Sequence, residues 1–249
     1  MWRAIPPQPD DVARFRKARQ EFGLYPLAIH VNYLINLASL DPVIREKSIA
    51  SFRGEIERAI LIGAEYLVTH PGNYKSCSID EGIAAFVLGL EDAARGLPRS
   101  NLCVLLENTV GAGCQLGGTF EELRQMRDLA SKLIDFPVAF CLDTCHLLAA
   151  GFDIASARGL ASTISKAHEV LGLENVRVMH ANDSKGALGS HLDRHANIGE
   201  GAIGEAGFRR LLRHSKLREK PFILETPVDQ EGDDIRNIQT LKRLAGVPH

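Results

Sequence analysis

Six short apolar runs, set between helical patterns, limit what this chain can fold into: PLAIHVN (26–32), YLVTHPG (66–72), CVLLENT (103–109), AFCLDTC (139–145), VRVMHAN (176–182) and FILETPV (222–228). The runs open on near-continuous apolar residues rather than on strict alternation, which suits strands covered on both faces, as in a parallel sheet. Amphipathic helical patterns lie between them. Over 42–62, Ile49, Phe52, Ile56 and Ile60 return every three or four residues, and Gly63 stands where the helix would stop. Alternating strand and helix predicts an α/β fold with right-handed crossovers, either a closed barrel or an open doubly wound sheet. A chain of 249 residues, 45% hydrophobic, has the size of one α/β barrel, so a single domain over 1–249 is expected.

Composition removes several classes of partner. The 29 Lys and Arg stand against 31 Asp and Glu, a net charge of −2, so no overall positive field draws in a polyanion. Contact with nucleic acid would need a local patch or bound cations. The five cysteines, at 77, 103, 114, 141 and 145, form no C-x-x-C pair and no disulfide-like framework. With no apolar leader segment, this predicts a reduced, cytoplasmic protein. No apolar run approaches the roughly 20 residues that span a bilayer, so no membrane association is expected. No G-x-G-x-x-G follows a strand, so no nucleotide cofactor is expected.

Each apolar run ends in a side chain able to bind metal: His30, His70, Glu107, Asp143, His180 and Glu225. Loops add His146 and, within HLDRHANIGEG, Asp193 and His195. The C-terminal strand ends of a parallel α/β barrel meet at one mouth, so residues distant in sequence converge there. Any one of these residues alone reads as a hydrogen-bonded structural group. Together, four carboxylates and five imidazoles buried without a cation would suffer like-charge repulsion and desolvation. Nitrogen and oxygen donors favour zinc, manganese or iron over calcium or magnesium, and nine donors are too many for one ion. Cys145 reads as a small buried hydrophobe. His168, His191, His214 and His249 read as surface or packing residues.

With HPGN (70–73), ENTVGAG (107–113), CLDTCHLLAAGFD (141–153), MHANDSK (179–185), DRHANIGEGAIG (193–204) and ILET (223–226), the chain resembles bacterial endonuclease IV, colinearly from about Trp2 onward. The resemblance implies a TIM barrel and a zinc-dependent apurinic/apyrimidinic (AP) endonuclease, also called deoxyribonuclease IV. Such an enzyme cuts double-stranded DNA on the 5′ side of abasic sites in base-excision repair. It further implies three zinc ions per chain. His30 and His70 would hold the first, and Glu107, the catalytic bridge, would join it to the second. Asp143, His180 and Glu225 would complete the second, and His146, Asp193 and His195 the third. Tyr33 and Leu34 align with residues that probe the DNA gap. Family members carry two βα units before the point matching Met1, so the expected barrel is N-terminally shortened, with about six of eight strands.

Two other readings stay open on the sequence. Glu107, Asp143, His180 and Glu225 alone resemble the one-metal quartet of xylose-isomerase-like sugar isomerases and epimerases, for which His30, His70, His146 and the DRH motif would be surplus. An inactive DNA- or metal-binding remnant is the third reading.

Overall fold

The computed structural model describes residues 6–75 and 77–247; His249 and Trp2 lie outside them. The chain divides into two compact units. One comprises the residues up to Glu107 with Cys114–Leu116 and Glu122–Ala139; the other comprises Asn108–Gly113, Gly117–Glu121 and the residues from Phe140 onward.

The first unit runs α1 (Pro9–Glu21), β1 (Ala28–His30), α2 (Pro42–Ile62), β2 (Tyr66–Thr69), α3 (Ile79–Ala94) and β3 (Cys103–Glu107), and contains most of α4 (Phe120–Ala130). Its strands are parallel, with Ala28 opposite Tyr66 and Tyr66 opposite Cys103. The Val104 amide donates to Pro137 O at 2.9 Å, at the start of β4 (Val138–Asp143). β4 begins in the first unit and ends in the second. Every residue of β3 and β4 is buried, as the continuous apolar runs require of strands covered on both faces.

Local chemistry fixes the helices. Asp41 caps α2, accepting from the Val43 and Ile44 amides, and Pro42 occupies its first turn. Gly63 ends it at φ 74°, the left-handed region that glycine enters without a Cβ clash. The buried stripe of α2 is Ser48, Phe52, Ile56 and Ala59, with Ile49 and Ile60 only half-buried. The sequence pattern therefore places the stripe about one residue out of register at two of its four positions. Ser78 and Glu81 form a reciprocal capping box at the start of α3.

The second unit continues with α5 (Thr144–Ala149), α6 (Ala157–Leu171), β5 (Val176–His180), β6 (Asp183–Ser184), β7 (His195–Ala196), α7 (Gly204–Arg213), β8 (Phe222–Ile223) and α8 (Asp233–Ala245). β4 and β5 are parallel with Asp143 opposite His180, and β5 and β8 are parallel with His180 opposite Ile223. All six apolar runs thus form strands of parallel sheet. The short antiparallel pair β6–β7 lies outside that pattern and was not anticipated. Among the described residues, no helix is long and apolar enough to cross a membrane.

One buried carboxylate organises the chain beyond β7. Asp183 is wholly buried, and it accepts backbone N–H bonds from Ser184 (2.8 Å), Gly199 (3.0 Å), Gly201 (3.0 Å), Ile203 (2.9 Å) and Gly204 (3.2 Å). These amides replace water around the charge. A Cβ on Gly201 would stand 2.4 Å from Ser184 O and 2.5 Å from Asp183 Oδ1, so only glycine allows the loop to approach. Asp183→Ala leaves five amides without their acceptor, those of Ser184 and Ile203 buried, and is expected to lower stability by on the order of 3 kcal/mol. Urea unfolding checks this; a change inside about 0.5 kcal/mol would show that the loop holds itself.

Candidate metal centre

In the first unit, three strand ends bring His30, His70 and Glu107 together. His30 ends β1, His70 follows β2, and Glu107 ends β3. Glu107 is fully buried, and its Oε2 lies 2.9 Å from His30 Nε2 and 3.2 Å from His70 Nε2. The two rings stand nearly perpendicular, at 86°, with centroids 5.1 Å apart. His30 Nδ1 lies 2.8 Å from Val31 O.

In the second unit, Asp143 ends β4, His180 ends β5, and Glu225 lies two residues past β8. His180 Nδ1 is 3.1 Å from Glu225 Oε2. His146, on α5, is buried; its Nδ1 is 2.9 Å from Asn108 O, and its Nε2 is 3.3 Å from Asp193 Oδ1. His195, on β7, places Nδ1 3.0 Å from Glu225 O and Nε2 3.4 Å from the same Asp193 Oδ1. That Nε2 is buried and has no hydrogen-bond partner among the described residues, although Asp193 is within ion-pair range.

The protons decide what these contacts mean. A backbone carbonyl can only accept, so the Nδ1 atoms of His30, His146 and His195 must carry the protons that reach Val31, Asn108 and Glu225. Each neutral ring then turns a bare Nε2 toward a carboxylate oxygen. Two acceptors facing one another at 2.9–3.4 Å repel, unless the ring takes a second proton or a cation lies between them. Two donors bonded to a tetrahedral zinc at about 2.0–2.1 Å stand about 3.3 Å apart, close to the spacing of both imidazoles from Asp193. Carbonyl-anchored imidazoles beside carboxylates are also the usual surroundings of a metal-ligating histidine. The donor set therefore fits a divalent cation.

Three side chains that the sequence reading passed over hold this arrangement. Asn182, wholly buried, donates Nδ2–H to Asp143 Oδ2 at 2.5 Å and accepts from the Glu225 amide at 2.8 Å. It thereby fixes two candidate ligands on either side of β5. Asn108 accepts from the Asp143 amide at 2.7 Å. Thr144 Oγ1 donates to Asn182 O at 2.7 Å and accepts from its amide at 2.9 Å. The available signal was an amide side chain one or two residues after Glu107 and His180, at the end of a buried strand. Asp143 has a second, structural role: its Oδ1 caps α5 by accepting from the His146 amide at 2.8 Å.

The remaining expected residues fall as follows. Tyr33 is 89% exposed, and the turn presenting it is set by Asn32, whose side chain accepts from the Leu34 amide at 2.9 Å. That exposure leaves no packing role for the ring; Leu34 is half-buried. Cys145 is fully buried, and burial above all pushes its thiol up to about 11. His191 is exposed, but it is not idle surface. It takes φ 53°, and its Nδ1 lies 2.6 Å from Val110 O, tying the DRH loop to ENTVGAG.

Known proteins share both sequence and fold with this chain. The family described as xylose isomerase-like TIM barrel matches residues 1–244. A probable endonuclease 4 of Solibacter usitatus is 65% identical over 99% of this chain and 85% of its own length. A second, of Methanoculleus marisnigri, is 40% identical over 98% of this chain and 86% of its own. The crystal structure of endonuclease IV from Thermus thermophilus superposes with a TM-score of 0.84 at 35% identity, over 100% of this chain and 86% of that one. A D-tagatose 3-epimerase-like protein, 22% identical with a TM-score of 0.72, shares the fold alone. Sequence, strand pattern and structural likeness agree, and the chain belongs to the endonuclease IV family of AP endonucleases, DNA-repair enzymes of the deoxyribonuclease IV type built as TIM barrels.

Proposed function

We propose that His30, His70, Glu107, Asp143, His146, His180, Asp193, His195 and Glu225 hold three zinc ions, and that the enzyme hydrolyses the phosphodiester 5′ to an abasic site in double-stranded DNA. The observation that carries this reading is the set of imidazole Nε2 atoms 2.9–3.4 Å from carboxylate oxygens, with each Nδ1 at hydrogen-bond distance from a backbone carbonyl. The family resemblance supports the number of ions and their division among the ligands. The reading treats residues 1–249 as one catalytic domain and places the enzyme with DNA in the cytoplasm. It calls for no nucleotide cofactor and no membrane.

Bound zinc would supply Lewis-acid polarisation of the phosphodiester and activation of water at neutral pH. The chain's own groups do the rest. Glu107, buried and in reach of both His30 and His70, would bridge the first two ions. The imidazoles, held by their carbonyl partners, present nitrogen in one orientation without reorganising during the reaction. Asn182 prevents Asp143 from rotating. Tyr33, projecting into solvent, is placed to enter the gap left by a missing base, which is cheap to open because no base pair is lost. Because the net charge of −2 gives no general attraction for DNA, phosphate affinity rests on the cations and on local contacts.

Elemental analysis of the purified protein should find three zinc ions per chain; a single ion, manganese especially, would point instead to sugar isomerisation. On a synthetic abasic duplex, Glu107→Gln should lose on the order of 10³-fold in turnover, against about tenfold for Tyr33→Ala. Equal and small losses would overturn both assigned roles. Asn182→Ala should weaken the retention of one zinc ion by about 10–100-fold, read by competition with a chromophoric chelator. Uniform loss of every ion together with a lower melting temperature would mean that Asn182 supports the fold and not the ligands.

A further inference from the structure

The zinc set leaves sulfur beside it unused, and the thiol of Cys145 is one such donor. Cys145 stands between Asp143 and His146 on α5, with no exposed surface. Its Sγ lies within 4.8 Å of ligand atoms of both Asp193 and His195. The thiol also reaches Arg194 O at 3.7 Å, the residue between those two, so the sulfur faces the turn of chain that presents them. Nothing in the zinc-dependent reading uses this sulfur.

We propose that Cys145, Asp193 and His195 form an alternative site for a thiophilic cation of the cadmium class, which competes with the ion held by His146, Asp193 and His195. The inference rests on the reading of Asp193 and His195 as metal ligands. Both sites need the same Asp193 carboxylate and the same His195 imidazole, so they cannot be filled together. What differs is the third donor: an imidazole in one, a sulfur in the other. Zinc accepts either set, but a softer ion gains far more from sulfur than from imidazole. His195 contributes a buried Nε2 without a hydrogen-bond partner among the described residues. Asp193, its side chain 45% exposed, gives the ion its way in from solvent. On binding, the Cys145 S–H bond breaks, its proton passes to water and a sulfur–metal bond forms, with no change of oxidation state. The consequence is a repair enzyme open to displacement of one zinc by a soft metal, at a point set by a single side chain.

The test uses the full chain, stripped of metal by a chelator and titrated with cadmium alone while ultraviolet sulfur-to-cadmium charge-transfer absorption is followed. Cys145→Ser and Cys141→Ser are run in parallel, the second controlling for another buried thiol. The expected result is one equivalent of charge-transfer absorption that is lost in Cys145→Ser, kept in Cys141→Ser and suppressed by excess zinc. Cadmium affinity at that equivalent should fall at least about tenfold in Cys145→Ser, the minimum for losing a group that matters to a metal site. Absorption of equal size in wild type and Cys145→Ser overturns the proposal, as does its absence from the wild type. Zinc stoichiometry separates the two readings. Three zinc ions with no Cys145-dependent absorption removes this proposal alone, whereas Cys145-dependent absorption in a protein that never holds three zinc ions leaves it standing and removes the trinuclear reading.

Discussion

Three histidines give their Nδ1 protons to backbone carbonyls, and the character of the site follows from that commitment. His30 donates to Val31, His146 to Asn108 and His195 to Glu225. The accepting carbonyls belong to the same strand-end segments that carry candidate ligands, so backbone position and imidazole orientation are one variable. A strand shifted by one residue would turn its side chains to the other face and remove both the ligand and the carbonyl that orients its neighbour. The parallel registers that place Asp143 opposite His180 and Ala28 opposite Tyr66 are therefore requirements of the site as much as of the fold.

Around these imidazoles the chain buries polar groups that a purely structural core would avoid. Asn182, Thr144 and Asp183 have no exposed surface and Asn108 almost none, yet each is hydrogen-bonded to backbone or to a candidate ligand. Desolvating such groups is costly unless every partner is supplied. Supplying them fixes the geometry, because a fully bonded amide or carboxylate has no second orientation of similar energy. Asp183 does for the loop after β7 what Asn182 does for Asp143 and Glu225, and the glycine at 201 lets that loop come within hydrogen-bond reach of it.

The same arrangement is costly in the absence of cations. Wherever the Nε2 atoms carry no proton, they and the carboxylates 2.9–3.4 Å away repel in surroundings where water screens them poorly. A cation that binds only the folded chain removes that repulsion and adds its binding free energy to stability. Metal binding at the proposed site would therefore couple to folding through electrostatics, because the buried amides resist the relaxation that would otherwise relieve the repulsion.

The sequence by itself determined the six parallel strands, the stop of α2 at Gly63 and the polar residue at each strand end, because continuous apolar runs, glycine's left-handed freedom and a change from apolar to polar are local signals. The motifs also carried the family. What only tertiary structure decided is which of these residues meet and through which atoms. That His146 and His195 converge on one oxygen of Asp193 depends on α5 and β7, whose facing ends, Ala149 and His195, are 46 positions apart in the chain, a pairing that no periodicity records. The buried roles of Asn108, Asn182 and Asp183 were hidden for a related reason: an amide or carboxylate looks the same in sequence whether it faces water or backbone. Likewise the sulfur of Cys145 reads as a small hydrophobe along the chain, and only the fold brings Asp193 and His195 within 4.8 Å of it.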